Sequence, residues 1–126
     1  MRLKKLLIVD DSDEFRVMLK DYLTRHDLGL EIFEASTGEM GVTKASCVRP
    51  DIVLMDINLP HANGLETTQH IKEDNPRCDV IILTLLEVKS FKEAAQKSKA
   101  TEFIGKSEID ERLVPAIKKC LASQKK

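Results

Sequence analysis

The sequence predicts an α/β domain built on an open, parallel, five-stranded sheet. Short apolar runs rich in Val, Ile and Leu occur at 6–9, 52–55 and 80–83. Longer stretches with apolar residues at helical spacing alternate with these runs. Near-continuous apolar strands are typical of a parallel sheet that helices cover on both faces. The length of 126 residues is that of one domain, predicted to span 1–126 without an effector domain.

Five strand–helix units follow one another along the chain. Asp11 or Ser12 can cap the first helix, and Ser36-Thr37-Gly38-Glu39 is a capping box that opens the second. Asn63-Gly64 precedes the third helix, which Asn75-Pro76 ends. The predicted strands are 6–9, 30–35, 52–55, 80–83 and 102–104. The first helix is predicted at about 12–26, and the second begins at the capping box and ends before Pro50. The other predicted helices are 65–74, 89–99 and 110–122.

Charge and hydropathy exclude two classes of protein. The 20 basic and 21 acidic residues give a net charge of −1, so a strongly basic nucleic-acid binder is excluded and no direct contact with nucleic acid is expected. The longest apolar runs are far shorter than the ~20 residues that span a bilayer. The apolar stretch at the N-terminus ends at Asp10, too early for a signal peptide. We therefore expect a cytoplasmic protein without membrane contact.

Sulfur-containing residues are expected to be structural. Cys47, Cys78 and Cys120 are odd in number, far apart and without a CxxC pair, which argues against disulfides and a zinc site. We expect all three to be buried, reduced thiols. Met18, Met40 and Met55 are likewise expected in the core.

Polar residues follow four of the predicted strands. Asp10 and Asp11 come after the first strand, Asp56 ends the third, Thr84 ends the fourth, and Lys106 follows the fifth. In an open parallel sheet the carboxyl ends of the strands form the ligand-binding edge. Three carboxylates, one hydroxyl and one ammonium are therefore expected to converge there.

Such a group of residues fits phosphoryl chemistry. Three neighbouring carboxylates raise one another's pKa unless a cation is bound, and Mg²⁺ prefers carboxylates, water and phosphate oxygens. A carboxylate can attack phosphorus to form an acyl phosphate, while the metal and a lysine neutralise the phosphoryl oxygens. The sequence contains no GxxxxGK[ST] loop, so no nucleotide site is indicated.

The same residues lie in motifs that resemble a protein family. The chain resembles the receiver domain of a two-component response regulator, in the right order and over essentially its whole length. This resemblance implies a flavodoxin-like fold with strand order 2-1-3-4-5 and five helices. The motifs are Leu7-Ile8-Val9-Asp10-Asp11-Ser12, Asp51 to Asp56 with Pro60 and Gly64, Ile82-Leu83-Thr84, and Phe103-Ile104-Gly105-Lys106.

The resemblance implies a role for each residue of the predicted site. Asp56 resembles the aspartate that accepts the phosphoryl group. Asp10 and Asp11 resemble the acidic pair that binds Mg²⁺, with Asp56 and the backbone carbonyl of Asn58 as further ligands. Lys106 resembles the lysine that pairs with the phosphoryl group.

The resemblance also implies a switch and partners. Thr84 resembles the hydroxyl residue that moves to contact the phosphoryl group, and Phe103 the aromatic residue that then turns inward. The donor would be a phosphohistidine on a sensor histidine kinase or phosphotransfer protein. The output face would comprise the fourth helix, fifth strand and fifth helix, and would act on a downstream effector protein or a removed effector domain. A phosphorylation-dependent homodimer is a further possibility. Residues 85–126, which include this face, carry 10 basic and 6 acidic residues.

Two positions depart from the family pattern. Leu85 follows Thr84 where a small residue is usual, and we expect it to slow hydrolysis at Asp56. Ser107 follows Lys106 where proline is usual, often after a cis bond. Because a cis bond to a non-proline residue costs ~3–4 kcal/mol, we expect a trans bond there.

Two other functions remain open from the sequence. A receiver-like docking module without phosphate control would be compatible with Leu85 and Ser107. A haloacid dehalogenase-type phosphatase would need an aspartate two residues after the nucleophile, where this chain has Asn58. The full acidic set favours neither alternative. The leading hypothesis is a signalling switch that is not an enzyme in the usual sense, although Asp56 would undergo self-phosphorylation and slow self-dephosphorylation.

Overall fold

A computed structural model describes residues 3–59, 62–85 and 97–124. The sheet has five parallel strands in the order β2-β1-β3-β4-β5, so the predicted flavodoxin-like order 2-1-3-4-5 is confirmed. The strands are β1 (Lys4–Val9), β2 (Leu30–Ala35), β3 (Ile52–Asp56), β4 (Asp79–Thr84) and β5 (Glu102–Gly105).

Four α-helices lie in the described part of the chain. They are α1 (Asp13–Arg25), α2 (Gly38–Val48), α3 (Gly64–Asp74) and a C-terminal helix (Ile109–Ser123), which a 3₁₀ turn at Lys106–Glu108 precedes. Most of the fourth predicted helix, over 89–99, lies outside the described residues. Among the described helices, none has the length and apolar character needed to cross a membrane.

Apolar side chains fill both faces of the sheet. Because successive strand residues point to opposite faces, Leu6 and Ile8 join one core cluster and Leu7 and Val9 the other. The first cluster includes buried residues of α1 and the C-terminal helix, and the second includes residues of α2 and α3. The sheet is thus covered on both sides, and its carboxyl edge is left to polar residues.

Several expectations about burial were wrong. Met18, Met40 and Cys47 are exposed, whereas Cys78 and Cys120 are buried as expected. On α2 the buried residues are Gly38, Gly41 and Ala45, and Val42 is partly buried against the second core cluster, whereas Met40 and Cys47 are exposed. Met18 adjoins Leu19, which occupies the centre of the buried face of α1.

A two-stranded antiparallel ladder follows β3 and was not predicted. Asn58 pairs with Asn63 and Leu59 with Ala62. Two residues per strand are too few for a periodic pattern, so the sequence indicated only a loop there. The ladder returns the chain to the start of α3 directly beside the end of β3.

The hydroxyl of Thr37 caps α2, and its removal is expected to destabilise the domain. Thr37 Oγ1 accepts a hydrogen bond from the backbone N–H of Met40 at 3.0 Å. Thr37→Ala should lower the free energy of unfolding by about 1 kcal/mol, while Thr37→Ser should retain most of it. Urea unfolding of both variants measures this difference. Equal losses in the two variants would show that the hydroxyl does not act as a cap.

Candidate functional site

Three carboxylates meet at the carboxyl edge of the sheet. β1 and β3 are hydrogen-bonded neighbours in which Val9 lies opposite Met55, so Asp10 and Asp56 emerge side by side. A carboxylate oxygen from each of Asp10, Asp11 and Asp56 lies within 4.8 Å of the others. Asp10 and Asp56 are buried, whereas Asp11 is exposed. The cluster therefore has a buried floor and one side open to solvent.

Asp10 is held at both carboxylate oxygens and along its backbone. The backbone N–H of Ser12 donates to its Oδ1 at 2.9 Å, and Lys106 Nζ donates to its Oδ2 at 3.0 Å. The guanidinium of Arg16 donates to its backbone carbonyl. These contacts fix the orientation of a carboxylate that is only 2% exposed.

Lys106 brings the positive charge into the cluster. Its Nζ lies 3.0 Å from Asp10 Oδ2 and 3.7 Å from Asp56 Oδ1, and its side chain is 12% exposed. Lys106 follows β5, two strands away from β3 in the sheet, so the long lysine side chain is needed to reach the carboxylates. The ammonium also lies 4.0 Å from the centroid of the Phe15 ring.

Burial, more than any other cause, raises the pKa of Asp56 above its ordinary value. The negative charges of Asp10 and, to a smaller extent, Asp11 raise it further. The ammonium of Lys106 and the backbone N–H of Asn58, which donates to Asp56 Oδ1 at 3.3 Å, lower it but do not compensate fully. The ionised carboxylate is therefore electrostatically disfavoured in this pocket until a cation or a covalent group changes its environment.

Thr84 and Phe103 occupy different surroundings. Thr84 ends β4, is fully buried and lies opposite Gly105, the residue before Lys106. Phe103 lies opposite Ile82 and packs against the core cluster that contains α2 and α3. The structure thus places Thr84 at the same edge as the acidic cluster and the half-buried Phe103 against the adjoining core.

The two positions that depart from the family pattern also lie at this edge. Leu85, which follows Thr84 directly, is 80% exposed. No cis peptide bond occurs among residues 3–59, 62–85 and 97–124, so the bond between Lys106 and Ser107 is trans, as expected. His61, which follows Pro60, and the apolar residues Leu86 and Val88 lie outside the described residues.

Two residues at the site were not predicted from the sequence. Arg16 contacts the backbone of Asp10, and its guanidinium also pairs with Asp13 and with Glu34, the latter at 3.2 Å. Its position near the N-terminus of α1 was a usable signal, because the helix dipole disfavours a cation there unless acceptors compensate. Phe15 recurs with Leu19, Tyr22 and Leu23 at helical spacing, a pattern that predicts an apolar helix face and gives no signal of a role at the site.

The acidic cluster has the chemistry of a magnesium site. Its donors are carboxylate oxygens, the ligands that Mg²⁺ prefers, and they lie close enough to share one ion. Their mutual repulsion, expressed in the raised pKa of Asp56, would be relieved by a divalent cation. The residues present therefore fit the ion that the sequence predicted.

Sequence comparisons identify relatives along nearly the whole chain. The family model of the response regulator receiver domain matches residues 6–118. Chemotaxis protein CheY of Thermotoga maritima is 36% identical over 117 residues, which is 92% of this chain and 96% of CheY. Response regulator GacA of Pseudomonas syringae is 32% identical over 122 residues, which is 96% of this chain but 56% of GacA. The chain thus matches both a stand-alone regulator and part of a longer one.

Solved structures that superpose on this chain are also receiver domains and response regulators. A CheY-like receiver domain protein from Methanospirillum hungatei superposes with a TM-score of 0.88 at 27% identity, covering 97% of this chain and 96% of that one. Response regulator TrrA from Thermotoga maritima, solved in complex with Mg²⁺ and BeF, superposes with a TM-score of 0.84 at 30% identity, covering 94% and 99%. With the matched family model and the carboxyl-edge acidic cluster, these similarities establish that the chain belongs to the response regulator receiver domains, which are signalling switches of two-component systems rather than enzymes in the usual sense.

Proposed function

We propose that Asp56 accepts a phosphoryl group from a phosphohistidine of a sensor histidine kinase or phosphotransfer protein, in a Mg²⁺-dependent reaction. The observation that carries this proposal is the environment of Asp56. Its buried carboxylate lies beside two further carboxylates and 3.7 Å from the ammonium of Lys106. A nucleophile, a cation site and a fixed positive charge are therefore adjacent.

In the proposed reaction, a carboxylate oxygen of Asp56 forms a bond to phosphorus. The bond between phosphorus and the donor's imidazole nitrogen breaks, and that nitrogen keeps the electron pair and takes up a proton. Hydrolysis of the resulting acyl phosphate by water returns Asp56 and releases inorganic phosphate. Asp56 thus acts as the nucleophile in the first step and as the leaving group in the second.

The other residues bind and neutralise charge. Asp10, Asp11, Asp56 and the backbone carbonyl of Asn58 would hold Mg²⁺, which when bound supplies positive charge for the phosphoryl oxygens. The ammonium of Lys106 adds a second, fixed positive charge on the side of β5. Ser12 and Arg16 keep Asp10 in position through the hydrogen bonds described above.

The output of the switch is proposed to travel through Thr84 and Phe103. The hydroxyl of Thr84 would move to contact the phosphoryl group, and Phe103 would turn inward into the space released. β5, the C-terminal helix and the predicted helix over 89–99 would then change the face presented to a downstream effector protein or domain. A phosphorylation-dependent homodimer through this face is one form that the output could take.

The proposal is tested by intact mass after incubation with a small acyl phosphate and Mg²⁺. We expect the wild-type protein to gain one phosphoryl group, and Asp56→Asn to gain none. Asp27→Asn makes the same chemical change at an exposed carboxylate and should gain the group normally. Omission of Mg²⁺ should abolish the gain in the wild type and in Asp27→Asn.

A negative result with the small donor is followed by a phosphohistidine donor. If neither donor modifies Asp56, phosphoryl transfer is excluded under those conditions, and a docking module without phosphate control becomes the better account. The exposed side chain of Leu85 beside Thr84 is the feature that would favour that account, since a partner could bind it.

Replacement of Leu85 is expected to speed loss of the phosphoryl group. Leu85 directly follows Thr84 and its exposed side chain can approach a phosphoryl group on Asp56 and limit its contact with water, which alanine could not do. We expect Leu85→Ala to lose the group several-fold faster than the wild type, measured as the decay of the phosphorylated mass after the donor is removed. An unchanged or slower decay would show that Leu85 does not shield the site.

A further inference from the structure

The ring of Phe15 lies against the ammonium of Lys106. The Nζ atom is 4.0 Å from the ring centroid, well within the ~6 Å at which a cation and an aromatic face attract each other. The two residues are far apart in the sequence, one in the first turn of α1 and the other directly after β5. Phe15 also packs against the core cluster, so its ring is supported from behind.

The backbone of Phe15 is fixed by the same residue that orients Asp10. Ser12 Oγ accepts a hydrogen bond from the Phe15 N–H at 3.1 Å, while the Ser12 N–H donates to Asp10 Oδ1 at 2.9 Å. The N-terminus of α1 therefore sets the positions of the ring and of one carboxylate together. Lys106 touches both groups at once.

The ammonium of Lys106 has three partners, which are the carboxylates of Asp10 and Asp56 and the ring of Phe15. The carboxylates of Asp10 and Asp56 are the groups that a divalent cation or a phosphoryl group would engage, whereas the aromatic ring has no such competitor. Lys106 is only 12% exposed, and attraction between a cation and a ring is strongest where water is excluded. The ring can hold the ammonium whatever happens at the carboxylates.

We propose that Phe15 is a positioning residue for Lys106, and that its ring holds the ammonium at the acidic pocket through its π face. The expected effect of the ring on the rate of phosphorylation rests on the proposed function, but the placement of the ammonium by the ring does not. The rival account is that Phe15 only fills core volume. On that account any apolar group of the same size would serve equally well.

Fluorination of the ring separates these accounts, because each fluorine weakens the negative potential of the π face with little change in shape. Phenylalanine analogues with one to five fluorines are incorporated at position 15 alone, and the rate of phosphorylation by an acyl phosphate with Mg²⁺ is measured. We expect a stepwise fall that reaches roughly three- to tenfold, which is the range for a partly desolvated cation–ring pair. The same series at Phe33, a half-buried phenylalanine in the other core cluster, should leave the rate unchanged.

The dependence on Lys106 is tested in the same assay. Where Lys106→Met leaves a measurable rate, fluorination at position 15 should have no further effect on it. Constant rates across the series at position 15 in the wild-type background, equal falls at positions 15 and 33, or an undiminished fall in Lys106→Met would each overturn the proposal.

The unphosphorylated protein supplies a readout that does not depend on phosphoryl transfer. A ring 4.0 Å from Nζ should shift the ε-methylene protons of Lys106 upfield in NMR spectra, and Phe15→Leu should remove that shift. If the wild type accepts no phosphoryl group but the shift is present, the proposed function fails and the placement of Lys106 by Phe15 stands. If the ε protons of Lys106 resonate with those of the other lysines, the inference itself fails.

Discussion

Replacing Gly64 by alanine is expected to lower the free energy of unfolding by about 3 kcal/mol, the upper end of the usual cost of overpacking. A Cβ atom at Gly64 would lie 2.2 Å from the backbone oxygen of Asp56 and 2.7 Å from Cα of Ile57. Both neighbours are backbone atoms, which cannot rotate away as a side chain can. The Gly64 N–H also donates to the Ile57 carbonyl at 3.0 Å, so relief of the clash would break a hydrogen bond.

Gly105→Ala is the matched control for this prediction. A Cβ atom there would first meet Oε1 of Glu108 at 3.1 Å, the end of a flexible side chain that can move. We expect Gly105→Ala to change the free energy of unfolding by less than 1 kcal/mol, measured by urea unfolding beside Gly64→Ala. A Gly64→Ala loss no larger than that of the control would show that α3 can shift away from Asp56 at little cost.

The close approach at Gly64 also bears on the site. The start of α3 lies directly against the backbone of the residue proposed to accept the phosphoryl group. Any backbone shift that accommodates alanine would therefore displace Asp56 relative to Asp10. The residues that determine stability at this edge are thus partly the residues that determine the geometry of the acidic cluster.

Features that depend on local sequence patterns could be predicted from the sequence. Apolar runs predicted the three central strands, β2 and β5 were predicted as short strands in the same alternation with helices, and hydroxyl and amide residues marked the starts of α1, α2 and α3. The convergence of Asp10, Asp11, Asp56 and Lys106 was also predicted, because a parallel sheet brings the carboxyl ends of its strands to one edge. Residue type and strand order together determined that part of the site.

Features that depend on packing between distant segments could not be predicted from the sequence. The contact of Phe15 with Lys106 joins α1 to β5, and no local pattern indicates which apolar residue of a helix will face a given lysine. Met18 and Met40 are exposed because other residues of their helices pack against the sheet. The paired strands at 58–59 and 62–63 are too short for hydrophobic periodicity to reveal.

Asp56→Asn is expected to raise the free energy of unfolding at neutral pH in the absence of divalent cations. Burial first, and then the charges of Asp10 and Asp11, raise the pKa of Asp56 above its ordinary value of 3.8. A raised pKa in the folded state means that ionisation favours the unfolded chain. Asparagine removes the charge and can still accept the hydrogen bond from the Asn58 N–H, so we expect the variant to have the higher free energy of unfolding.

The pH dependence of this gain has a definite sign. Below pH 3.8 the carboxyl is protonated in both the folded and the unfolded chain, so the variant should have no advantage from this source. The advantage should grow as the pH rises from that value through the raised pKa of Asp56, and then stay constant. Urea unfolding at a series of pH values measures it, with Asp27→Asn as the control at an exposed carboxylate. A constant difference at all pH values, or an equal gain in Asp27→Asn, would contradict an origin in the pocket.

Magnesium should remove the stability advantage of Asp56→Asn. An ion that binds only the folded wild-type protein stabilises it by about 1.4 kcal/mol at ten times its dissociation constant, from the mass-action relation between binding and folding. Asp56→Asn retains two of the three carboxylates and should gain less from the same concentration. The wild type is therefore expected to be the less stable protein without Mg²⁺ and to recover the difference as Mg²⁺ is added. If the variant keeps its full advantage at saturating Mg²⁺, Asp56 is not a ligand of the ion, and the repulsion among the carboxylates is relieved in some other way.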